Sequence, residues 1–214
     1  MYNTLQRLER RIYLFLKRLN LKNKNISIIS NNCCGGVICH DLNIPFNSPT
    51  INTMIRPEEY IRFLKNLDYY LQQPVIKTEN TDFPYPSGLI GDITVYFGHG
   101  ISLDQDIENW NRRKLRIDKN NLFILMTDRD GCTYDTIKKF DSLVYPNKVI
   151  LTHKQYPEFD SAVYIPGFED NSQVGILTDW KPTRLMRRGL DDFDYIYYLN
   201  KASKNKGNND GENE

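Results

Sequence analysis

The chain has 214 residues, enough for one α/β domain with a substantial buried core. Its 28 Lys plus Arg are balanced by 27 Asp plus Glu, which excludes a global field of the kind that recruits nucleic acid. No apolar run approaches the roughly 18 to 20 residues that span a bilayer, and four cysteines without a secretory leader fit a reducing, cytoplasmic compartment better than a disulfide scaffold.

Residues 1–25 read as an N-terminal amphipathic appendage. Within Thr4 to Asn20, Leu5, Leu8, Ile12, Phe15, Leu16 and Leu19 recur at helical spacing, with Arg7, Arg10, Arg11, Lys17 and Arg18 between them. Such a helix either docks on the domain or lies on an anionic membrane surface, so residues 4–20 are a candidate peripheral membrane contact.

Residues 26–200 read as the catalytic-type domain. Ile26 to Ile29 is a β-branched run that breaks into Ser30-Asn31-Asn32-Cys33-Cys34-Gly35-Gly36 and then turns helical from Val37 to Leu42, the pattern of strand, tight turn and helix start. A cysteine at such a turn sits near amide N–H groups and the positive end of a helix, which stabilises its thiolate; Cys33 is the first candidate nucleophile. The competing reading is two small residues packed where helix and strand approach closely. Cys33, Cys34, Cys39 and Cys132 make no pair of CxxC knuckles, and no metal site is assigned to them. His40, inside the short helix, is expected to be structural.

Pro45 to Asn52 is a structured loop whose Asn47, Ser48, Thr50 and Asn52 offer neutral donors and acceptors suited to sugar hydroxyls, or simply to turn formation. Pro57 opens a helix that runs through Leu71, and Thr78 to Gly91 reads as a loop. Ile93 to Phe97 is a strand closed by Gly98-His99-Gly100, where His99 is the candidate general base or acid. In the helix Leu103 to Ile117, Arg112 and Arg116 share a face with Arg113 beside them, arranged to grip an anion or to form a solvated basic surface.

Asn121 to Met126 has the continuous apolar character of a buried parallel strand. It ends in Thr127-Asp128-Arg129-Asp130-Gly131, where the two carboxylates either hold a divalent ion on a sugar nucleotide or cap the helix Tyr134 to Leu143. Lys148 to Thr152 is a further strand, delivering His153. Ala162 to Ile165 adds an edge strand, residues 180–184 form a linker, and residues 185–199 form a last helix. The segment 201–214, rich in Lys, Asn, Gly and Glu, is expected to be disordered. Four strand–helix units with right-handed crossovers predict a single α/β domain with one mixed, mostly parallel central sheet and helices on both faces. Cys33, His99, Asp128, Asp130 and His153 would then gather at one sheet edge.

The combination Ser30-Asn31-Asn32-Cys33-x-Gly35-Gly36, Asn47-Ser48-Pro49-Thr50-Ile51-Asn52, His99, Trp110-x-x-Arg113 with Arg116-Ile117, and Asn121-Leu122-Phe123 with Asp128-x-Asp130 resembles a bacterial family described as exopolysaccharide-biosynthesis proteins, sometimes called acetyltransferases. The position after Cys33 is often aromatic in that family, whereas here it is Cys34. The order of cysteine, proline loop, histidine and Trp/Arg helix is also similar, less closely, to papain-like cysteine peptidases, a likeness that pairs Cys33 with His99.

The resemblance implies surface-polysaccharide assembly. The leading expectation is acyl or acetyl transfer to a sugar hydroxyl, with Cys33, His99 and Asp128 catalytic. Asn31, Asn32, Asn47, Ser48, Asn52, Arg112, Arg113, Arg116, Asp130 and His153 would bind a saccharide or lipid-linked saccharide, and acyl-CoA would serve as donor with no tightly bound cofactor. The alternatives are a glycosyltransferase using a nucleotide sugar and a divalent metal at Asp128 and Asp130, or a non-catalytic membrane-peripheral assembly protein.

Overall fold

Alternation along the apolar strands decides the layering. The computed structural model describes residues 4–79, 83–98, 100, 102–182 and 185–208, with side chains to 202. Strands β1 (Ser27–Ser30), β6 (Leu122–Thr127), β7 (Lys148–Thr152) and β8 (Ala162–Tyr164) form an all-parallel sheet in the order β1-β6-β7-β8. Ile28, Phe123, Leu125, Val149 and Leu151 point into one apolar cluster, joined by residues of α2 (Cys34–Leu42) and α7 (Tyr195–Asn208). Their neighbours Ile29, Ile124, Met126 and Ile150 point into a second cluster with α3 (Pro57–Lys65), α5 (Leu103–Lys114) and α6 (Tyr134–Asp141). Burial on both faces is what the continuous apolar character of β6 requires.

The expected single sheet is divided in two. Strands β2 (Thr53–Ile55), β3 (Val75–Thr78), β4 (Ser87–Ile90) and β5 (Ile93–Phe97) form a separate antiparallel sheet in the order β2-β5-β4-β3. The cause is local: Gly91-Asp92 makes a two-residue turn, Gly91 at φ +60°, that folds β5 directly back on β4 with Ile90 opposite Ile93. A two-residue connection allows only antiparallel pairing of β4 with β5, and the other edge of β5 is taken by β2, also antiparallel, which keeps β5 out of the parallel ladder. The segment read as a loop over 78–91 contains β4, and the helix read over 57–71 breaks at Asn66 into α3 and α4 (Leu67–Gln72). The last helix begins at Tyr195 and continues to Asn208, into the segment expected to be disordered, while Gly189–Asp192 form a separate 3-10 turn.

The first helix, α1 (Thr4–Asn20), docks with its polar side inward. Its one buried residue is Arg10, which pairs with Asp41 of α2 and, at 2.5 Å, with Asp191 of the 3-10 turn. Tyr13 lies beneath the Arg10 and Arg187 guanidinium groups, and Lys17 sits 4.0 Å from the centre of the Tyr195 ring. The apolar stripe that ordinarily docks an amphipathic helix faces outward instead. Among the described residues, no helix is long and apolar enough to cross a membrane.

Arg10 thus holds two buried carboxylates, with side-chain exposures of 7% for Asp41 and 5% for Asp191. Removing one member of such a group leaves uncompensated buried charge. Arg10→Met is expected to lower stability by about 3 kcal/mol, measured as a fall in the urea midpoint with an unchanged slope.

Candidate functional site

Where β1 ends, four consecutive polar residues do different structural work. Asn31 ends the parallel ladder: its N–H still donates to the Leu125 carbonyl at 3.3 Å, but its carbonyl accepts from Ile55 N–H of β2 at 2.9 Å, and its Oδ1 accepts from Thr127 N–H of β6 at 3.1 Å. Asn32 Nδ2 donates to Thr127 Oγ1 at 2.7 Å, and its Oδ1 accepts from Cys34 N–H at 3.1 Å. Ser30 Oγ donates to the Asn32 carbonyl and accepts from Gly35 N–H at 3.2 Å. Cys33 occupies the N-cap of α2 without its side chain capping the helix.

Two glycines then allow α2 to seat closely. A Cβ on Gly35 would meet Ser30 Oγ, and one on Gly36 would run into the Asn52 side-chain amide. Asn52 adopts a left-handed backbone, φ 63°. Ser48 and Thr50 belong to the same support, since their hydroxyls are 2.9 Å apart and Thr50 Oγ1 accepts from Ser30 N–H. Both are fully buried, whereas Asn47 lies at the half-buried outer end of the loop and reaches the Asn25 carbonyl at 3.4 Å.

The Cys33 thiol opens onto a cavity of about 460 Å³. Its wall combines Asn32, Asn52 and Thr53 with Phe83, Tyr85 and Tyr96, and is closed by Arg129, Asp130, Thr178 and Asp179. A small pouch of about 50 Å³ continues past Cys33 to Thr127 and Gly175. A larger cleft, about 680 Å³, lies at the other end of β6 around Leu64, Leu122 and Tyr145. It is lined by Lys65, Lys119 and Asp68 but by no cysteine or histidine, so chemistry favours the smaller cavity.

Burial holds the Cys33 thiol above its ordinary value. This outweighs the lowering contributed by a backbone hydrogen bond and by the Arg129 guanidinium. The expected stabilisation of the thiolate is therefore reversed in the resting protein. The turn amides cannot supply it freely either, because Cys34 N–H and Gly35 N–H are already bonded to Asn32 and Ser30. Cys34 and Cys39 are buried and pushed up to about 12, the behaviour of packed apolar thiols.

Arg129 was not singled out by the sequence, although it sits between the two carboxylates that were. It ion-pairs with Asp130 at 3.7 Å, and its buried Nε has no hydrogen-bond partner among the described residues. Asp130 is held at φ 60°, and its N–H donates to Gln173 Oε1 at 2.9 Å. Asp128 points elsewhere: Oδ2 accepts from His153 N–H at 2.8 Å and contacts His153 Nδ1 at 2.5 Å, while Oδ1 accepts from Val174 N–H at 2.8 Å. With both oxygens engaged by protein donors, Asp128 is poorly placed to share a divalent ion with Asp130. Among the described residues no cluster of three or more His, Cys, Asp or Glu is arranged to hold a metal.

His153 is buried and is not among the residues lining the Cys33 cavity. The arginines of α5 are likewise apart from it. Arg113 donates to the Ile51 carbonyl at 3.1 Å and stacks on Phe46, bracing the 45–52 loop from behind. Arg112 bonds Asn109 of its own helix, and Arg116 is exposed beyond the helix end. His99 lies outside the described residues; the preceding Gly98 lines the cavity. His40 is exposed, its side chain at 80%, and lies 3.4 Å from Asp41.

The sequence also missed Tyr96, Thr178 and Asp179 as cavity residues. Period-two alternation in β5 could have placed Tyr96 on one face. No comparable signal exists for the strap 173–179, which Asp128 and Asp130 hold across the strand ends.

A two-sheet α/β protein with a thiol at a strand-to-helix turn, facing a mixed aromatic and polar cavity, is the class this geometry defines. Residues 4–200 match the family described as a domain of unknown function, DUF1919. A protein of Haemophilus influenzae described as uncharacterized is 43% identical over 182 residues, which cover 85% of this chain and 87% of that one. The chain belongs to the DUF1919 domain family.

Two outcomes test this geometry. Gly36→Ala is expected to displace Asn52 from the cavity wall and to lower stability by about 1 to 3 kcal/mol, read by denaturant melting and by the Asn52 side-chain amide resonances. Iodoacetamide is expected to label Cys33 slowly at neutral pH, with the rate climbing as pH rises past the ordinary thiol value of 9.0. Cys132, pushed up to about 12 by burial, should label later still, as followed by mass spectrometry.

Proposed function

We propose that this protein is a cysteine-dependent acyltransferase acting on a saccharide hydroxyl, in the exopolysaccharide or capsule biosynthesis that its motifs resemble. The observation that carries the reading is the Cys33 thiol on a cavity whose wall alternates aromatic rings with neutral amide and hydroxyl groups and holds one arginine. Phe83 and Tyr85 offer apolar faces for a sugar ring, while Asn52 and Thr178 offer hydroxyl partners. Arg129, with its buried Nε, is the group positioned to hold an anionic donor or a developing oxyanion.

The chemistry is a two-step exchange. A general base takes the Cys33 proton, and the thiolate attacks the acyl carbonyl of a thioester such as acyl-CoA. The new bond joins Cys33 Sγ to the acyl carbon, the donor C–S bond breaks, and the departing thiolate recovers the proton. The saccharide hydroxyl then gives its proton to the same base as its oxygen attacks the Cys33 thioester, and the Cys33 sulfur leaves and is reprotonated. Because burial keeps the resting Cys33 protonated, the base is indispensable. His99, which follows Gly98 in the chain, is assigned that role. Asp128 and His153 support the site by holding the strap 173–179 and the strand ends in place.

The test is transfer of a radiolabelled acetyl group from acetyl-CoA to saccharide acceptors, with trapping of the acyl-enzyme. Cys33→Ala is expected to abolish both the trapped thioester and turnover. Arg129→Gln should slow iodoacetamide labelling of Cys33 roughly threefold to tenfold at fixed pH, because it removes the nearby cation that favours the thiolate. Full transfer activity in Cys33→Ala, or a trapped acyl group on another residue, would refute the assignment.

A further inference from the structure

The outward side of α1 combines two features that neither the core nor the cavity uses. Leu5, Leu8, Ile12, Phe15, Leu16 and Leu19 are exposed at 58%, 50%, 52%, 58%, 52% and 65%. They span an arc of about 100° on the helix, a continuous stripe rather than scattered surface leucines. Along one edge of that stripe run Arg7, Arg11 and Arg18, all exposed, with Arg18 Nε also donating to the Asp41 carbonyl at 2.9 Å. A shallow cleft of about 410 Å³ lies where the two meet, lined by Leu8, Arg11, Ile12, Leu14, Phe15 and Arg18.

The orientation is set from behind. Arg10, Tyr13 and Lys17 fasten the polar side of α1 to Asp41, Asp191, Arg187 and Tyr195, so the stripe cannot roll inward without exposing the Arg10 ion pairs. An apolar face held out in this way marks an interaction surface.

We infer that the outer face of α1 docks in the plane of an anionic phospholipid surface, with the apolar stripe entering the headgroup boundary and Arg7, Arg11 and Arg18 meeting lipid phosphates. Charge complementarity selects this occupant over a second copy of the chain. Five basic residues and one acidic residue, the half-buried Glu9, lie between Thr4 and Asn20. A second α1 seated on the first would bring arginine edges together with almost no carboxylate to receive them, whereas an anionic bilayer offers phosphates along the whole helix. Arginine suits the rim, because its long stem packs along apolar surface while the guanidinium stays at the phosphate level.

The test is flotation of the full chain with liposomes of phosphatidylcholine alone or mixed with phosphatidylglycerol, with sedimentation velocity run in parallel. The expected result is binding to the phosphatidylglycerol-containing vesicles only, weakening as salt rises. Phe15→Ser with Leu16→Ser, and separately Arg7→Glu with Arg11→Glu, should each reduce binding about tenfold or more. All four side chains are exposed, so the circular dichroism and urea midpoint should be unchanged. Absence of flotation at low salt, equal binding to neutral vesicles, or a concentration-dependent dimer that the Phe15→Ser/Leu16→Ser variant dissolves would each overturn the proposal. Acetyl transfer is read separately, so failure here leaves the Cys33 assignment untouched.

Discussion

The arrangement depends on how the backbone leaves β1. At Asn31 the parallel ladder makes its last bond, N–H to the Leu125 carbonyl at 3.3 Å, and the buried carbonyl that follows has to find a partner away from solvent. The Asn31 carbonyl takes Ile55 N–H of the antiparallel sheet, its side-chain oxygen takes Thr127 N–H of the parallel sheet, and Asn32 links Thr127 to the first turn of α2. Two sheets and a helix are joined through the Asn31 main-chain carbonyl and two adjacent amide side chains. Cys33 follows directly, so its position is dictated by the junction.

That junction explains both the promise and the limit of the cysteine. The next two amides, of Cys34 and Gly35, already satisfy Asn32 and Ser30, and burial outweighs the one backbone hydrogen bond to the thiol, which keeps the resting sulfur protonated. Across the cavity, the Arg129 guanidinium just after β6 is the charge that opposes burial at this thiol. The strap 173–179 is held by the Asp128 carboxylate and by the Asp130 backbone N–H, from two residues whose spacing invited a metal-binding interpretation. Asp128 instead anchors His153 and Val174, and Asp130 bends the backbone toward Gln173.

Helix α1 shows a different balance. Its apolar positions are at helical spacing and ordinarily would mark the docked side. Here an arginine shared by two buried acids, reinforced by rings of tyrosine, fixes the opposite side to the domain. A buried ion pair is a poor source of net stability compared with apolar packing, but it is sensitive to orientation. A pattern of hydrophobicity reports which side is apolar, and not where that side points.

The sequence by itself determined the strand–turn–helix around Cys33, the buried β6, the helices beginning at Thr4, Pro57, Leu103 and Tyr134, and the α/β class, because each rests on local periodicity, caps and turn chemistry. Gly91-Asp92 also carried the hairpin that splits the sheets, a signal present but not read. Only the tertiary structure decided that Arg129, Tyr96, Thr178 and Asp179 share a cavity with Cys33 while Arg112, Arg113, Arg116 and His153 stand away from it. Those relations join residues far apart in the chain, and they follow from which sheet each strand enters and which partner each buried polar group finds, neither of which any local pattern encodes.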